Sequence, residues 1–376
     1  MSAIKYIIHY DINTDEGRNF ALSAVNKANY IIETLAELGY SVEIISASLI
    51  SSKKCARGSK LKLSDKVSLT KLPAVKSKGI IGKIIAHIWQ KIALLIYLLF
   101  NTHKGDTVIV YHSLSLINII KCIKKIKRIN LILEAEEVYT NASKYNKKVE
   151  KKEIKYFNIA DKYLFSTEKL NDKFNRKNKL YAIDYGTYSC EKDRNVSFGN
   201  DKVHVLYAGT LDPRKGGASA AASAAEFLSD NYHIHILGFG SAEEVKDIKS
   251  LVSCVNQKSK ATVTYDGVLF GEDFIKFMQK CHIGLSTQNP DADFNDTSFP
   301  SKILSYMANG LRVVTIKIPV IKESKINKAM YYYEKQTPQE IAKAIETVDF
   351  CDGYDGRKKI KKLDLEFKEN LRELLK

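Results

Sequence analysis

Two short runs in the second half of the chain combine glycine, cationic side chains and a helix start, a combination suited to an anionic ligand. In residues 207–217, YAGTLDPRKGG, an apolar strand ends at Gly209 and a helix begins after Gly216 and Gly217. Glycine lets backbone approach a ligand closely, and the first helical turn leaves N–H groups without intrahelical partners. Arg214 and Lys215 add charged donors there, which is what a diphosphate needs. The alternative is a plain turn with solvated basic residues. In residues 297–310, TSFPSKILSYMANG, Pro300 stands near a helix start, Ile303, Leu304 and Met307 share one face, and Gly310 follows the end. Ser301 and Lys302 set a hydroxyl and an ammonium beside the open N–H groups, so a second anion site is expected in the same domain. Between the two runs, Gly238 and Gly240 of LGFG follow a strand but lack the third glycine of a dinucleotide fingerprint.

The first half offers polar groups at the carboxyl ends of apolar runs. Asp15, Glu16, Arg18 and Asn19 follow the first run, His112 ends TVIVY, and Glu134, Glu136 and Glu137 follow LIL. A lone histidine at a strand end is more often structural. Three acids in a basic half are out of character, and Glu136 or Glu137 has the chemistry to orient a hydroxyl or act as general base.

The elements that must hold these groups alternate. Short apolar runs begin near residues 6–9, 41–46, 107–111, 130–133 and 162–165, with helix-period stretches between them. A second series runs from 203–207 through 233–237, 261–264, 282–285 and 312–316. Such order predicts parallel sheets covered on both faces. Residues 48–78 are polar, basic and strand-poor, and are expected to be a long surface loop. Residues 185–201 lack an apolar period and read as a linker, and 355–376 as one charged amphipathic helix. Residues 80–100 form the most apolar stretch but contain Lys83, His87, Gln90 and Lys91. A buried or groove-lining helix, an interfacial helix and a spanning helix all remain open there.

The 376 residues, 45% hydrophobic and 27% charged, suit a globular chain of two domains rather than a disordered or collagen-like one. Six dispersed cysteines without a C-x-x-C pair suggest reduced thiols rather than a disulfide frame or a zinc site. No secretory signal is visible in MSAIKYIIHY. The net charge of +16 is lopsided: residues 1–200 hold 34 basic and 19 acidic side chains, the remainder 25 and 24. A polyanionic partner would therefore meet the first half.

The spacing from YAGTLDPRKG through LGFG and YDGVLFGEDFIKFMQKCHIGLST to SFPSKILSYMANGLRVV resembles the nucleotide-sugar half of a GT-B glycosyltransferase. It is similar to glycosyltransferase family 4 and its bacterial capsule and O-antigen relatives. The resemblance covers roughly residues 200–350, and in the first half rests on architecture and on DEGRNFALSAVNKANYI. It implies an α/β GT-B architecture, two doubly wound Rossmann-like domains facing across a cleft. Residues 1–190 would bind the acceptor and 200–352 the nucleotide sugar, with 353–376 a terminal helix for which a return to the first domain is open.

By that resemblance Lys215 falls on the lysine that binds the donor diphosphate. Thr210 occupies the place of an arginine, for which Arg214 is the available substitute. Gly267, Val268 and Leu269 match the backbone platform for a uracil-type base. The family's two glutamates fall on Thr297 and Ser305, which leaves Asp296 or Asp293 to touch the sugar and Ser305 to bond the ribose. Asp291 and Asp293 spell the D-x-D metal motif of the other transferase fold. The GT-B resemblance instead implies no metal and no cofactor beyond the nucleotide sugar.

These readings converge on a transferase that moves a hexosyl unit from a nucleotide diphosphate sugar, UDP-linked by preference and with galactofuranose among the candidates. The acceptor would be a glycan or a polyprenyl-diphosphate-linked sugar in bacterial surface polysaccharide synthesis. The expected catalytic set is Lys215, Arg214, Lys302, Glu16, Glu136 and His112. Donor contacts are expected from Gly209, Thr210, Gly238, Gly240, Val268, Leu269, Asp296, Thr297, Ser298, Phe299, Pro300, Ser301 and Ser305. Acceptor contacts are expected from Asp15, Arg18, Asn19 and Glu137. Family 4 implies retention of configuration, and the basic half implies a cytoplasmic enzyme held peripherally on an anionic inner membrane face. Two rivals are a degenerate GT-B protein that binds without turnover and a basic nucleic-acid binder. The latter predicts aromatic platforms and a named fold motif, neither of which is found, so no nucleic acid partner is expected.

Overall fold

The computed structural model describes residues 3–12, 16–51, 54–142, 147–213, 217–290 and 292–376. The chain divides into two compact units, one of residues 1–185 with 367–376, the other of residues 186–366.

The first unit is built on eight strands: β1 (Ile4–Ile8), β2 (Val42–Ser46), β3 (Ser59–Lys62), β4 (Val67–Lys71), β5 (Thr107–Tyr111), β6 (Asn130–Ala135), β7 (Lys162–Phe165) and β8 (Tyr181–Ile183). Their order in the sheet is β3-β4-β2-β1-β5-β6-β7-β8, parallel except for the β3 edge. β1 and β2 are buried at every position, as expected of central strands covered on both faces. The core joins Ile7, Val108, Leu131 and Phe165 of the sheet to Leu94, Ile120 and Phe157 of the covering helices. At the chain's end Phe367 meets Tyr30, ring centres 5.7 Å apart, and Lys368 pairs with Glu37 at 2.8 Å.

One sequence expectation is overturned here. Residues 48–78 are not a structureless loop: β3 and β4 lie within them, and β4 extends the parallel sheet beside β2. Lysines at 60, 62, 66 and 71 mask the strand pattern. Lys71 is nevertheless buried, because Asp11 lies 2.7 Å away and Glu16 3.8 Å away.

The second unit has six parallel strands: β9 (Val203–Thr210), β10 (Tyr232–Phe239), β11 (Thr262–Gly267), β12 (Ile283–Ser286), β13 (Arg312–Ile316) and β14 (Met330–Tyr333). The order is β11-β10-β9-β12-β13-β14, so the winding reverses between β9 and β12. The first unit reverses likewise between β1 and β5. Ligands in doubly wound sheets bind at the carboxyl ends of the strands beside such reversals.

Candidate active site

In the second unit the glycines at the carboxyl ends of the strands make room for close contacts. β9 and β10 pair with Gly238 beside Gly209. A Cβ on Gly238 would stand 2.5 Å from the Gly209 carbonyl oxygen. Gly217 opens the helix Gly217–Ser223, and a Cβ there would stand 2.5 Å from the Thr287 carbonyl, just past β12. The Thr287 hydroxyl donates to the Gly217 carbonyl at 2.7 Å, tying the two sides of the reversal together.

Lys302 reaches this edge from the helix Lys302–Ala308. Its Nζ lies 4.1 Å from the centre of the Tyr207 ring, a cation–π distance. A Cβ on Gly209 would lie 2.9 Å from that ammonium. Tyr207 is held in turn by donation from its hydroxyl to the Thr210 carbonyl at 2.9 Å. The Tyr306 hydroxyl accepts from Ala208 N–H at 2.9 Å and donates to the Leu285 carbonyl at 3.3 Å, fixing the Lys302 helix to β9 and β12. That helix starts at Lys302, not at Pro300. The turn before it is tighter, with Ile303 N–H bonded to the Pro300 carbonyl at 3.0 Å.

The other expected donor residues fall around the same end of the sheet. Gly240 leads into the helix Ala242–Asn256, whose start is closed by a capping box between Ser241 and Glu244. Val268 is exposed and Leu269 half-buried immediately after β11, and the Tyr265 hydroxyl donates to the Gly238 carbonyl. In the loop before the Lys302 helix, Thr297 and Phe299 are buried, Ser298 and Pro300 half-buried, and Asp296, Ser301 and Ser305 exposed. The buried Asn295 pins that loop through bonds to Gln288, Asn289 and Pro290. Arg214, Lys215, Asp15 and Asp291 lie outside the described residues.

The first unit holds a cavity of about 340 Å³ at the carboxyl ends of β1 and β5. His9, Asn19, His87, Gln90, Tyr111 and Ser113 are among its lining. Burial pushes the His9 imidazole below its usual range, so it is neutral near pH 7. The Tyr111 hydroxyl donates to Glu136 Oε2 at 2.8 Å, and Lys27 Nζ lies 3.4 Å from Glu136 Oε1 and 4.0 Å from Asp184. Burial opposes the Lys27 ammonium, yet Asp184, Glu136 and Glu134 outweigh it and raise its pKa. Next to them, burial pushes Glu134 up to about 8, and Lys27 offsets this only in part. The Tyr6 hydroxyl donates to Glu134 Oε2, while Glu134 Oε1 is buried without a hydrogen-bond partner among the described residues, as suits a neutral carboxyl.

Of the other expected residues of this half, Asn19 lines this cavity, whereas His112, Arg18 and Glu137 do not. His112 turns into the core, 2.7 Å from Glu153 and stacked on Tyr156. Arg18 is buried, bonded to Glu16 at 2.6 Å and to the Leu72 carbonyl at 3.0 Å. Asn19 accepts from the Ser51 hydroxyl at 2.6 Å, and Glu137 is half-buried beyond β6. His9 follows β1 just as His112 follows β5, with no motif in the sequence to single it out. Lys27 carries no local motif, and Tyr207 and Tyr306 lie within the two glycine- and lysine-bearing runs as ordinary aromatics.

The helix Gly79–Asn101 supplies His87 and Gln90 to the cavity wall. It is long and apolar enough to cross a membrane, and only 28% of its most apolar stretch is buried. Ile80, Ile81, Ile84, Ile85 and Ile88 are exposed along it, Ile80 by 80% and Phe100 by 82%. One face of the helix thus lines the cavity through His87 and Gln90, and another exposes isoleucines.

Residues 202–348 match the family model described as glycosyl transferases group 1. No curated protein matches the sequence. Among solved structures, a sucrose-phosphate synthase from Thermosynechococcus elongatus is similar at TM-score 0.71 and 14% identity, covering 100% of this chain and 99% of that one. An E. coli trehalose-6-phosphate structure bound with UDP-2-fluoro glucose is similar at TM-score 0.71 and 10% identity, covering 99% of each chain. An alpha,alpha-trehalose-phosphate synthase (UDP-forming) from Burkholderia xenovorans, in complex with glucose-6-phosphate, is similar at TM-score 0.67 and 10% identity, with full coverage of both chains. The chain thus has the GT-B fold of these synthases, and its residues 202–348 are similar to group 1 glycosyl transferases.

Proposed function

We propose that this protein is a retaining, metal-independent glycosyltransferase that moves a hexosyl unit from a UDP-sugar to a lipid-linked glycan acceptor. The observation that carries the reading is the Lys302 ammonium held over the side-chain-free end of β9, within the domain matched to group 1 transferases. A departing nucleoside diphosphate gains negative charge as the glycosidic bond breaks. Lys302, together with Lys215 and Arg214 of the YAGTLDPRKGG run, offsets that charge, which favours the transition state over the ground state. The UDP-sugar assignment draws on similar structures, one bound with UDP-2-fluoro glucose and one named as UDP-forming. The sugar rests against Asp296 and the Ser298–Ser301 backbone, and Val268 and Leu269 frame the base.

The acceptor enters the first unit's cavity, where neutral His9 and the Tyr111–Glu136 pair orient its hydroxyl. A polyprenyl diphosphate carrier suits the helix that forms part of that wall. Its isoleucine face lies in the acyl boundary, while Lys76, Lys78, Lys83, Lys91 and Lys104, in a stretch with no acid between Asp65 and Asp106, meet anionic headgroups. The enzyme then works peripherally at the inner face of a bacterial membrane, in surface polysaccharide assembly of the capsule or O-antigen kind. The test is UDP release from UDP-hexoses with a polyprenyl-diphosphate-linked sugar, in the wild type and in Lys215→Ala. Turnover lost in the variant supports the reading. UDP binding without turnover on any donor replaces it with a degenerate binder.

A further inference from the structure

We propose that His204, His233 and His235 form a site for a divalent transition-metal ion. The three lie in the amino-terminal halves of β9 and β10, at the opposite end of those strands from Gly209 and Gly238. A ring nitrogen of each lies within 4.8 Å of the others.

With all three rings neutral, the hydrogen bonds around them place one proton on each. Asn200 Oδ1 accepts from Lys202 N–H at 3.1 Å, so it is the amide oxygen that faces His204 Nε2 at 2.8 Å. His204 Nε2 is therefore protonated and its Nδ1 carries a lone pair. His235 Nδ1 lies 3.1 Å from Asp266 Oδ2 and donates to it, leaving the lone pair on Nε2. The Thr264 hydroxyl spends its proton on Asp266 at 2.9 Å, so its oxygen accepts from His233 Nε2 at 3.1 Å. His233 then keeps its lone pair on Nδ1.

Every ring thus donates outward to a fixed oxygen. The two inner nitrogens, His204 Nδ1 and His235 Nε2, confront each other at 2.9 Å with lone pairs on both. Two acceptors at that distance repel unless a cation lies with them. An outer N–H held by a carboxylate, an amide oxygen or a hydroxyl is also the arrangement that orients metal-bound histidines and raises their basicity. The Phe198 ring stacks on His204 at 4.1 Å and on His235 at 4.7 Å, restricting their rotation. Neutral imidazoles with no carboxylate among them select zinc, cobalt, nickel or copper over calcium or magnesium. Three ligands leave a fourth position for water. The rival occupant is a single proton shared by His204 and His235.

The test is calorimetric titration of chelator-treated full-length protein with Zn²⁺ at pH 7.5, together with Co²⁺ followed by visible absorption. The expected result is one equivalent bound and a tetrahedral cobalt spectrum. His233→Ala should lower the affinity at least 10-fold. Asp266→Asn, which keeps all three ligands and guards against a variant that misfolds, should lower it about 10- to 100-fold. UDP binding should be unchanged in both variants. Absence of a stoichiometric site, or a site equally strong in both variants, overturns the proposal and leaves the shared proton.

Discussion

Lys302 Nζ stands 4.1 Å from the ring centre of Tyr207 and beside Gly209, where even a methyl group would crowd it. One residue comes from the helix before β13, the other from within β9, nearly a hundred positions earlier. Their meeting places a cation at the reversal of the sheet without the arginine that the family resemblance leads one to seek at Thr210. Replacing Lys302 by alanine should lower turnover about 10²- to 10³-fold, the usual effect of removing one group that stabilises developing negative charge. UDP-release kinetics check this, with the melting temperature of the variant held against the wild type.

The glycines can be tested apart from chemistry. In Gly217→Ala the new methyl meets the Thr287 carbonyl at 2.5 Å, a backbone atom that cannot swing aside. Overpacking of this kind costs about 1–3 kcal/mol. In Gly209→Ala the methyl meets the far end of the flexible Lys302 side chain, so stability should change less while donor affinity falls. Urea unfolding and UDP titration of both variants separate the two effects.

Much of this edge was legible and some was not. The glycines, Lys302 and the alternation of strands and helices are local, because close approach and helix starts leave short patterns. Tyr207 and Tyr306 are ordinary aromatics in sequence, and only the pairing of β9 with β12 turns their hydroxyls into struts. His112 and His9 both follow a strand, yet His112 turns toward Glu153 while His9 faces the cavity. β3 and β4 are hidden because their lysines break up the apolar pattern of the strands, and Lys71 is buried only because Asp11 and Glu16 come to it. His204 and the His-x-His of 233 and 235 are separated by a helix, so their juxtaposition follows from parallel pairing alone.

Glu134 gives a pH signature. Its pKa rises on folding from an ordinary carboxyl value to about 8, chiefly through burial. The stabilising contribution of the neutral form is complete below about pH 4.5 and is lost as pH rises through 8. Glu134→Gln stays neutral throughout. The variant should therefore gain on the wild type in melting temperature by several degrees between pH 5 and pH 8.5, about the shift that 1 kcal/mol or more produces. A difference that stays constant across that range would show Glu134 to be ionised in the folded protein at all these values.

The isoleucine face makes a separate prediction. The double variant Ile81→Glu with Ile85→Glu removes apolar area from an exposed face and should leave the fold intact. It should also lose most flotation with vesicles containing phosphatidylglycerol, since each buried isoleucine contributes about 1.5–3 kcal/mol. Raising the salt should weaken wild-type binding through the lysines without abolishing it. Wild-type protein that fails to float at low salt would remove the membrane from the account.

A nucleotide-sugar site in the second unit is tested by thermal melting with UDP, GDP, ADP and a short oligonucleotide at fixed salt. A ligand at about 100 times its Kd stabilises by about 2.7 kcal/mol, enough for several degrees in a chain of this size. The expected result is a rise selective for UDP. No response to any nucleotide, with a salt-sensitive shift from the oligonucleotide, would contradict it and make the basic half the functional surface.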